Sequence, residues 1–248
     1  MNGGKIIAKA EPGDVTALIE TGESYLGSST INDYKSAFNC FVKAAELGSK
    51  LGALRAAATA IDLANTYQLN NYIEDALNYW QAGMSFSMKV ISDANEGYAY
   101  FDSAVSALEQ SLYGNAACLY MCSDSIANAN LKAISSLELI GNRDSKANLL
   151  LAVCKFSDQM QTQDDVNQVL TIFENTFRAG SQYMDADFVA ALSTIDQTVL
   201  GEATIAFAQI LRKGIAVEPN PARPTQITAT VYNLLSNETV KNTLRNYL

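Results

Sequence analysis

At 248 residues, 48 % apolar and 17 % charged, the chain can bury a sizeable core and is not of disordered composition. A net charge of −9 argues against a nucleic-acid binder, which needs clustered lysine and arginine to displace counterions. The absence of histidine removes the commonest general base, and with it any Ser-His-Asp or Cys-His arrangement.

The four prolines stand at 12, 219, 221 and 224. Just over two hundred proline-free residues rich in Ala, Leu, Ser and Asn, without long β-branched alternation, predict an all-α body. Residues 1–13 read as a flexible N-terminus. Asp14 caps a predicted helix over Val15–Tyr25, and Asn32 or Asp33 caps the next, Tyr34–Leu47. There Ala37, Phe38, Phe41, Ala44 and Ala45 keep the spacing of a core-facing stripe. Gly48 and Gly52 punctuate the chain before a returning helix, Arg55–Tyr67. The turn Gln68–Asn71 leads into Tyr72–Val90, which carries the only tryptophan, Trp80.

Ala76-Leu77-Asn78-Tyr79-Trp80 echoes Ala37-Phe38-Asn39-Cys40-Phe41, 39 residues before it, and returns as Ala116-Ala117-Cys118-Leu119-Tyr120, 40 residues after. A small residue followed by bulky ones at near-constant period is the mark of stacked helical hairpins, each unable to bury its apolar face alone. On that reading Glu96–Leu112 is a returning helix broken at Gly114, and Asn115–Ala129 a third forward helix. Phe41, Trp80 and Tyr120 should then be buried at equivalent positions.

Leu131–Ile140 follows, then a strongly apolar Ser145–Met160. Thr162 with Asp165 predicts a capping box opening Val166–Phe177, and Met184–Ile195 and Val199–Leu211 complete a helical-repeat array over 14–216. Residues 217–224, with three prolines, read as a linker. Residues 225–248 form a helical tail that docks as a cap or swings free.

Motifs for chemistry are few. No phosphate-cradling glycine loop occurs, and nothing calls for a cofactor or small-molecule substrate. Glu74-Asp75 and Asp164-Asp165 fall in first turns of predicted helices, where carboxylates offset the helix dipole; Asp185 and Asp187 form a third pair. Cys40, Cys118, Cys122 and Cys154 read as buried thiols of a reducing compartment rather than zinc ligands. No run approaches about 18 apolar residues and no signal peptide is evident, so a soluble, cytoplasmic protein is expected. Between Lys89 and Lys132 there is no basic residue, while Asp93, Glu96, Asp102, Glu109 and Asp124 are present.

The stretches AFNCFVKAAELGSK (Ala37–Lys50), RAAATAIDLANTY (Arg55–Tyr67) and EDALNYWQAGMSF (Glu74–Phe86) resemble the early helices of the soluble attachment proteins, or SNAPs. Those adaptors join SNARE complexes to the AAA ATPase that disassembles them. The order NLLLAVCKF, MQTQDD, amphipathic helix, YMDADF looks like the C-terminal part of the gamma-type branch. The resemblance spans roughly residues 14–212. It implies a TPR-like antiparallel hairpin array, a right-handed superhelix with a C-terminal helical cap, and a non-catalytic adaptor role in vesicle transport. It also implies SNARE binding through the array's basic residues (here Lys35, Lys43, Arg55, Lys89, Lys132 and Lys146), ATPase contact at the C-terminal Leu248, and peripheral membrane contact. A generic TPR-like scaffold binding another protein or peptide is the alternative.

Overall fold

The computed structural model describes residues 14–28, 30–92, 99–158, 160, 162–213 and 222–248. Among them the chain is helical, without strands. The helices are α1 (Val15–Leu26), α2 (Ile31–Glu46), α3 (Lys50–Leu69), α4 (Ile73–Ser92), α5 (Phe101–Met121), α6 (Ala129–Ile140), α7 (Ser145–Ser157), α8 (Gln163–Thr176), α9 (Ala186–Ala190), α10 (Thr194–Lys213), α11 (Ala222–Leu234) and α12 (Glu238–Leu244). Their contacts fall into two compact units that divide between Cys122 and Ser123. The expected N-terminal segment 1–13 and linker positions 217–221 lie outside the described residues, as do Glu96–Tyr98, where the helix to Leu112 was expected to begin.

In the first unit each helix packs on its neighbours in the chain, and α3 also touches α5. The ends are set by short polar side chains that satisfy the free N–H groups of each first turn. The Asp14 carboxylate accepts from the Ala17 amide at 3.0 Å, as expected. For α2 the cap is Thr30, not Asn32 or Asp33. Its hydroxyl oxygen accepts from the Asp33 amide at 3.2 Å, which starts the helix at Ile31. Gly48, at φ +90°, turns the chain out of α2, and Ser49 caps α3 through the Gly52 amide at 3.0 Å.

Close helix approach explains the small residues. The inner face of α3 is Ala53, Ala56, Ala57, Ala60 and Ala64, all buried. Gly52 does not punctuate this helix but lies inside it; a Cβ there would meet the Ala44 methyl at 2.7 Å. Gly22 on α1 leaves room for the Phe41 ring, whose Cε1 would lie 2.5 Å from a Cβ.

Gly114 overturns an expectation of the repeat. It does not break a helix: α5 runs through it, and the Trp80 indole occupies the space of the missing side chain. Ala116 and Tyr120 therefore lie on the second half of α5, not on a third forward helix, and Tyr120 is only half-buried. Phe41 and Trp80 are buried, as expected. Their settings differ, however, since Phe41 meets the preceding helix α1 and Trp80 the following helix α5.

The second unit is built differently. Helix α7 packs against α6, α8 and α10, so its residues Leu149–Cys154 are buried all round. A helix apolar on every side belongs at the centre of a packed group. Phe173, Phe177 and Phe207 fill the space between α8 and α10, with Phe177 and Phe207 stacked at 5.4 Å. The expected capping box is present, with Thr162 and Asp165 exchanging side-chain and backbone bonds. The Lys155 ammonium donates to Asp165 at 2.9 Å and Gln168 at 2.8 Å.

The helix expected over Met184–Ile195 is instead a short 3-10 turn at Gln182–Met184, the brief α9, and a break at Leu192-Ser193. Ser193 accepts from the Asp196 amide at 3.1 Å and so opens α10. The linker expected to reach residue 224 ends earlier, because Arg223 and Pro224 stand in the first turn of α11; proline there sacrifices no intrahelical bond.

The tail docks. Helices α11 and α12 pack on α10. Buried Gln197 holds the turn between them: its amide oxygen accepts from the Ser236 and Asn237 amides at 3.1 and 2.9 Å.

Candidate functional site

The six basic residues picked out by the sequence divide between the units. Lys35 and Lys43 stand on α2, Arg55 on α3 and Lys89 on α4; Lys132 stands on α6 and Lys146 on α7. Most have work within the fold. The Lys35 ammonium lies 5.3 Å from the Tyr67 ring centroid, and hydrogen bonding to Tyr67 raises its pKa. Lys89 donates to the Ala45 carbonyl at 2.7 Å, closing the C-terminal end of α2 where cations are favoured. Arg55 pairs with Glu23 at 2.8 Å, both sides partly exposed. Lys146 pairs at 3.0 Å with Asp196, whose side chain is 7 % exposed. Lys43 and Lys132 are exposed on their helices. Leu248 is also exposed, with the preceding residue tied back: the Arg212 guanidinium donates to the Tyr247 carbonyl at 2.8 Å.

The first unit carries an aromatic seam, of which the expected core stripe holds only Phe38. Phe38 on α2 meets Tyr79 and Phe86 on α4 edge to face, at centroid distances of 5.5 and 6.0 Å. Tyr79 in turn stacks on Tyr67 at 5.5 Å and 8°. Phe38, Tyr79 and Phe86 are only half-buried. Edge-to-face and offset stacked geometries suit the ring quadrupoles. The seam thus joins α2, α3 and α4 while keeping ring surface accessible, with the Lys35 ammonium at the Tyr67 ring. Partial burial raises the Tyr79 hydroxyl pKa, so the phenol stays neutral. The repeat carries no signal for the seam, since 39 residues apart Phe38 matches Leu77 and Cys40 matches Tyr79.

Two grooves flank α3. The larger, of about 810 Å³, runs between α3 and α5. The smaller, of about 350 Å³, lies between α2 and α3, and Asp62 borders both. In the second unit a cavity of about 380 Å³ is lined by uncharged polar groups, among them Asn148, Asn175 and Tyr183.

The carboxylate pairs stand in helix starts. Glu74 and Asp75 lie in the first turn of α4, Asp164 and Asp165 in that of α8. Asp185 caps α9 by accepting from the Phe188 amide at 2.9 Å. Among the described residues, no group of three or more cysteine or acidic side chains is placed to hold a metal ion. All four cysteines are free. Desolvation pushes the buried Cys118 and Cys154 thiols up to about 12. No described helix is long and apolar enough to cross a membrane.

The class defined by these features is an all-helical protein whose first unit is built of sequentially packed hairpins. Compared with protein-family models and with curated proteins, the chain finds no match.

Proposed function

We propose that the chain is a non-catalytic adaptor of the SNAP kind, acting in vesicle transport by linking SNARE complexes to a AAA disassembly ATPase. The observation that carries this reading is the half-exposed ring seam Phe38–Tyr79–Phe86, continued through Tyr67 to the Lys35 ammonium. Aromatic rings with adjacent cations are the residue types enriched where proteins meet proteins. The likeness of Ala37–Lys50, Arg55–Tyr67 and Glu74–Phe86 to the SNAP helices supplies the partner. On this reading the hairpins belong to a TPR-like right-handed superhelix, and α11 and α12 are its C-terminal helical cap. Lys43 and Lys132 steer an acidic SNARE bundle, Lys35, Lys89, Arg55 and Lys146 divide their charge between fold and partner, and Leu248 meets the ATPase.

The test is retention of the protein on an immobilised SNARE complex at low salt. Wild type should be retained, and retention should fall steeply with added salt because charges more than about 8 Å apart are screened at physiological strength. Lys43→Glu with Lys132→Glu should weaken retention without altering the thermal melt. Phe38→Ala with Phe86→Ala should weaken it at every salt concentration. Absence of wild-type retention would overturn the SNAP assignment and leave a generic TPR-like scaffold for another protein or peptide.

A further inference from the structure

The acidic stretch between Lys89 and Lys132 is not used by an adaptor that grips acidic partners, and part of it forms a wall of the larger groove. On one side of that groove α3 presents Leu51, Leu54, Ala58 and Ile61. These follow a 3-4-3 spacing, the seam by which one helix takes another. Leu51 and Leu54 are half-buried and Ala58 is exposed, while Ile61 is buried, so the seam is partly covered by the packing of α3 on its own neighbours and open from Leu51 to Ala58. On the other side α5 contributes Asp102, Ser103, Ser106, Ala107 and Gln110, small and polar residues that leave the trough open. Its volume of about 810 Å³ falls within the range of formed binding sites.

The charge of the trough has one sign. Asp62 borders it from α3 and Asp102 from α5, while Arg55, the one cation lining it among the described residues, is paired with Glu23 at 2.8 Å. The surroundings reinforce this: up to Cys122 the chain holds thirteen acidic and seven basic residues, a net −6. Asp62 is exposed as a residue, yet it stands between two grooves where protein displaces part of its water, and this desolvation raises its carboxyl pKa. An incoming cation would relieve that penalty by favouring the ionised form.

We propose that the groove between α3 and α5 binds a cationic amphipathic helix of a partner protein, its apolar stripe on Leu51, Leu54, Ala58 and Ile61 and its lysines or arginines on Asp62 and Asp102. The apolar seam supplies affinity and register, and the two carboxylates set orientation and select against acidic helices. This site lies on α3 and α5, apart from the ring seam of α2 and α4, and takes a partner of the opposite charge.

The experiment uses the full chain and a fluorescein-labelled amphipathic peptide of lysine and leucine in heptad register, followed by fluorescence anisotropy. A second peptide carries glutamate in place of every lysine. Saturable binding of the lysine peptide alone is expected. Asp62→Asn with Asp102→Asn should weaken it about fivefold to tenfold, the loss for two exposed charge pairs. Glu20→Gln with Glu46→Gln changes the charge equally on exposed positions outside the groove and should leave the Kd within about twofold, as expected for long-range charge alone. Ala58→Trp alters no charge but fills the trough, and should weaken binding at least as much as the paired aspartate change. Melts of all variants should match wild type, since each substituted position is exposed. The proposal is overturned if the lysine peptide does not saturate, if the glutamate peptide binds equally, if the control pair loses as much affinity as the groove pair, or if Ala58→Trp leaves the Kd unchanged.

Discussion

Gly114→Ala drives a methyl group into the face of Trp80. A Cβ at this position would lie 2.3 Å from the indole Cζ2, 2.4 Å from Cε2 and 2.5 Å from Cη2. Carbon atoms rest at about 3.5–4.0 Å, so the ring would have to recede by more than about 1 Å. It has little freedom to do so: Trp80 is 3 % exposed, packed among Ala57, Ala64 and Ala107, and its indole N–H donates to the Gln68 amide oxygen at 3.3 Å. Overpacking of this kind costs about 1–3 kcal/mol, while alanine is worth about 0.5–1 kcal/mol over glycine inside a helix. The net expectation is a loss of about 1–2 kcal/mol. Trp80→Ala alone should cost about 3–5 kcal/mol. In that background Gly114→Ala should change sign and stabilise by about 0.5–1 kcal/mol, because only the helix preference remains. Urea denaturation followed by far-UV circular dichroism and by the single tryptophan measures the two corners that keep Trp80. Dichroism alone reads the variants lacking Trp80. Coincident transitions would show whether the two units unfold together. If Gly114→Ala stabilises the protein in both backgrounds, the indole does not sit on α5 there and the packing argument fails.

Two further outcomes follow from buried groups. Cys118 and Cys154 are raised from 9.0 to about 12, and Tyr183 from 10.0 to about 12, each mainly by desolvation. A group whose folded pKa lies above its unfolded value stabilises fully below the unfolded pKa and loses that contribution as pH climbs to the folded one. Stability should therefore decline from about pH 9 towards about 12, and Cys118→Ala with Cys154→Ala should flatten the slope; an equal slope in that variant would refute the assignment. Gln197→Leu strands the Ser236 and Asn237 amides that its side chain now satisfies. It should cost about 2–3 kcal/mol and speed hydrogen exchange in α12 selectively, and protection in α12 equal to wild type would count against it.

Helical character and some helix starts were legible, because their causes are local. Asp14 and the Thr162–Asp165 pair act within three residues along the chain, and the stripes that mark α2 and α4 are properties of a single helix. Two of the differences show why the rest was not legible. Thr30 was passed over as a cap because Asn32 and Asp33, equally good capping types, stood beside it; only the backbone angles at Thr30 separate them. The lysines were read as a surface set, yet whether Lys89 meets solvent or the end of α2, and Lys146 solvent or Asp196, depends on partners 44 and 50 residues away.

By itself the sequence determined that this is a helical protein with small residues on its packing faces and an acidic central stretch, since composition, periodicity and capping act over a few residues. The tertiary structure decided the rest. Glycine lowers the helix preference of α5 by about 1 kcal/mol whether or not it ends the helix, and the reason a glycine stands at 114 is the ring of Trp80 arriving from α4. The same long-range packing divides the chain after Cys122, leaves Phe38 and Tyr79 half-covered, and opens the acidic groove between α3 and α5. None of these is a property of any one helix, because each depends on which faces meet.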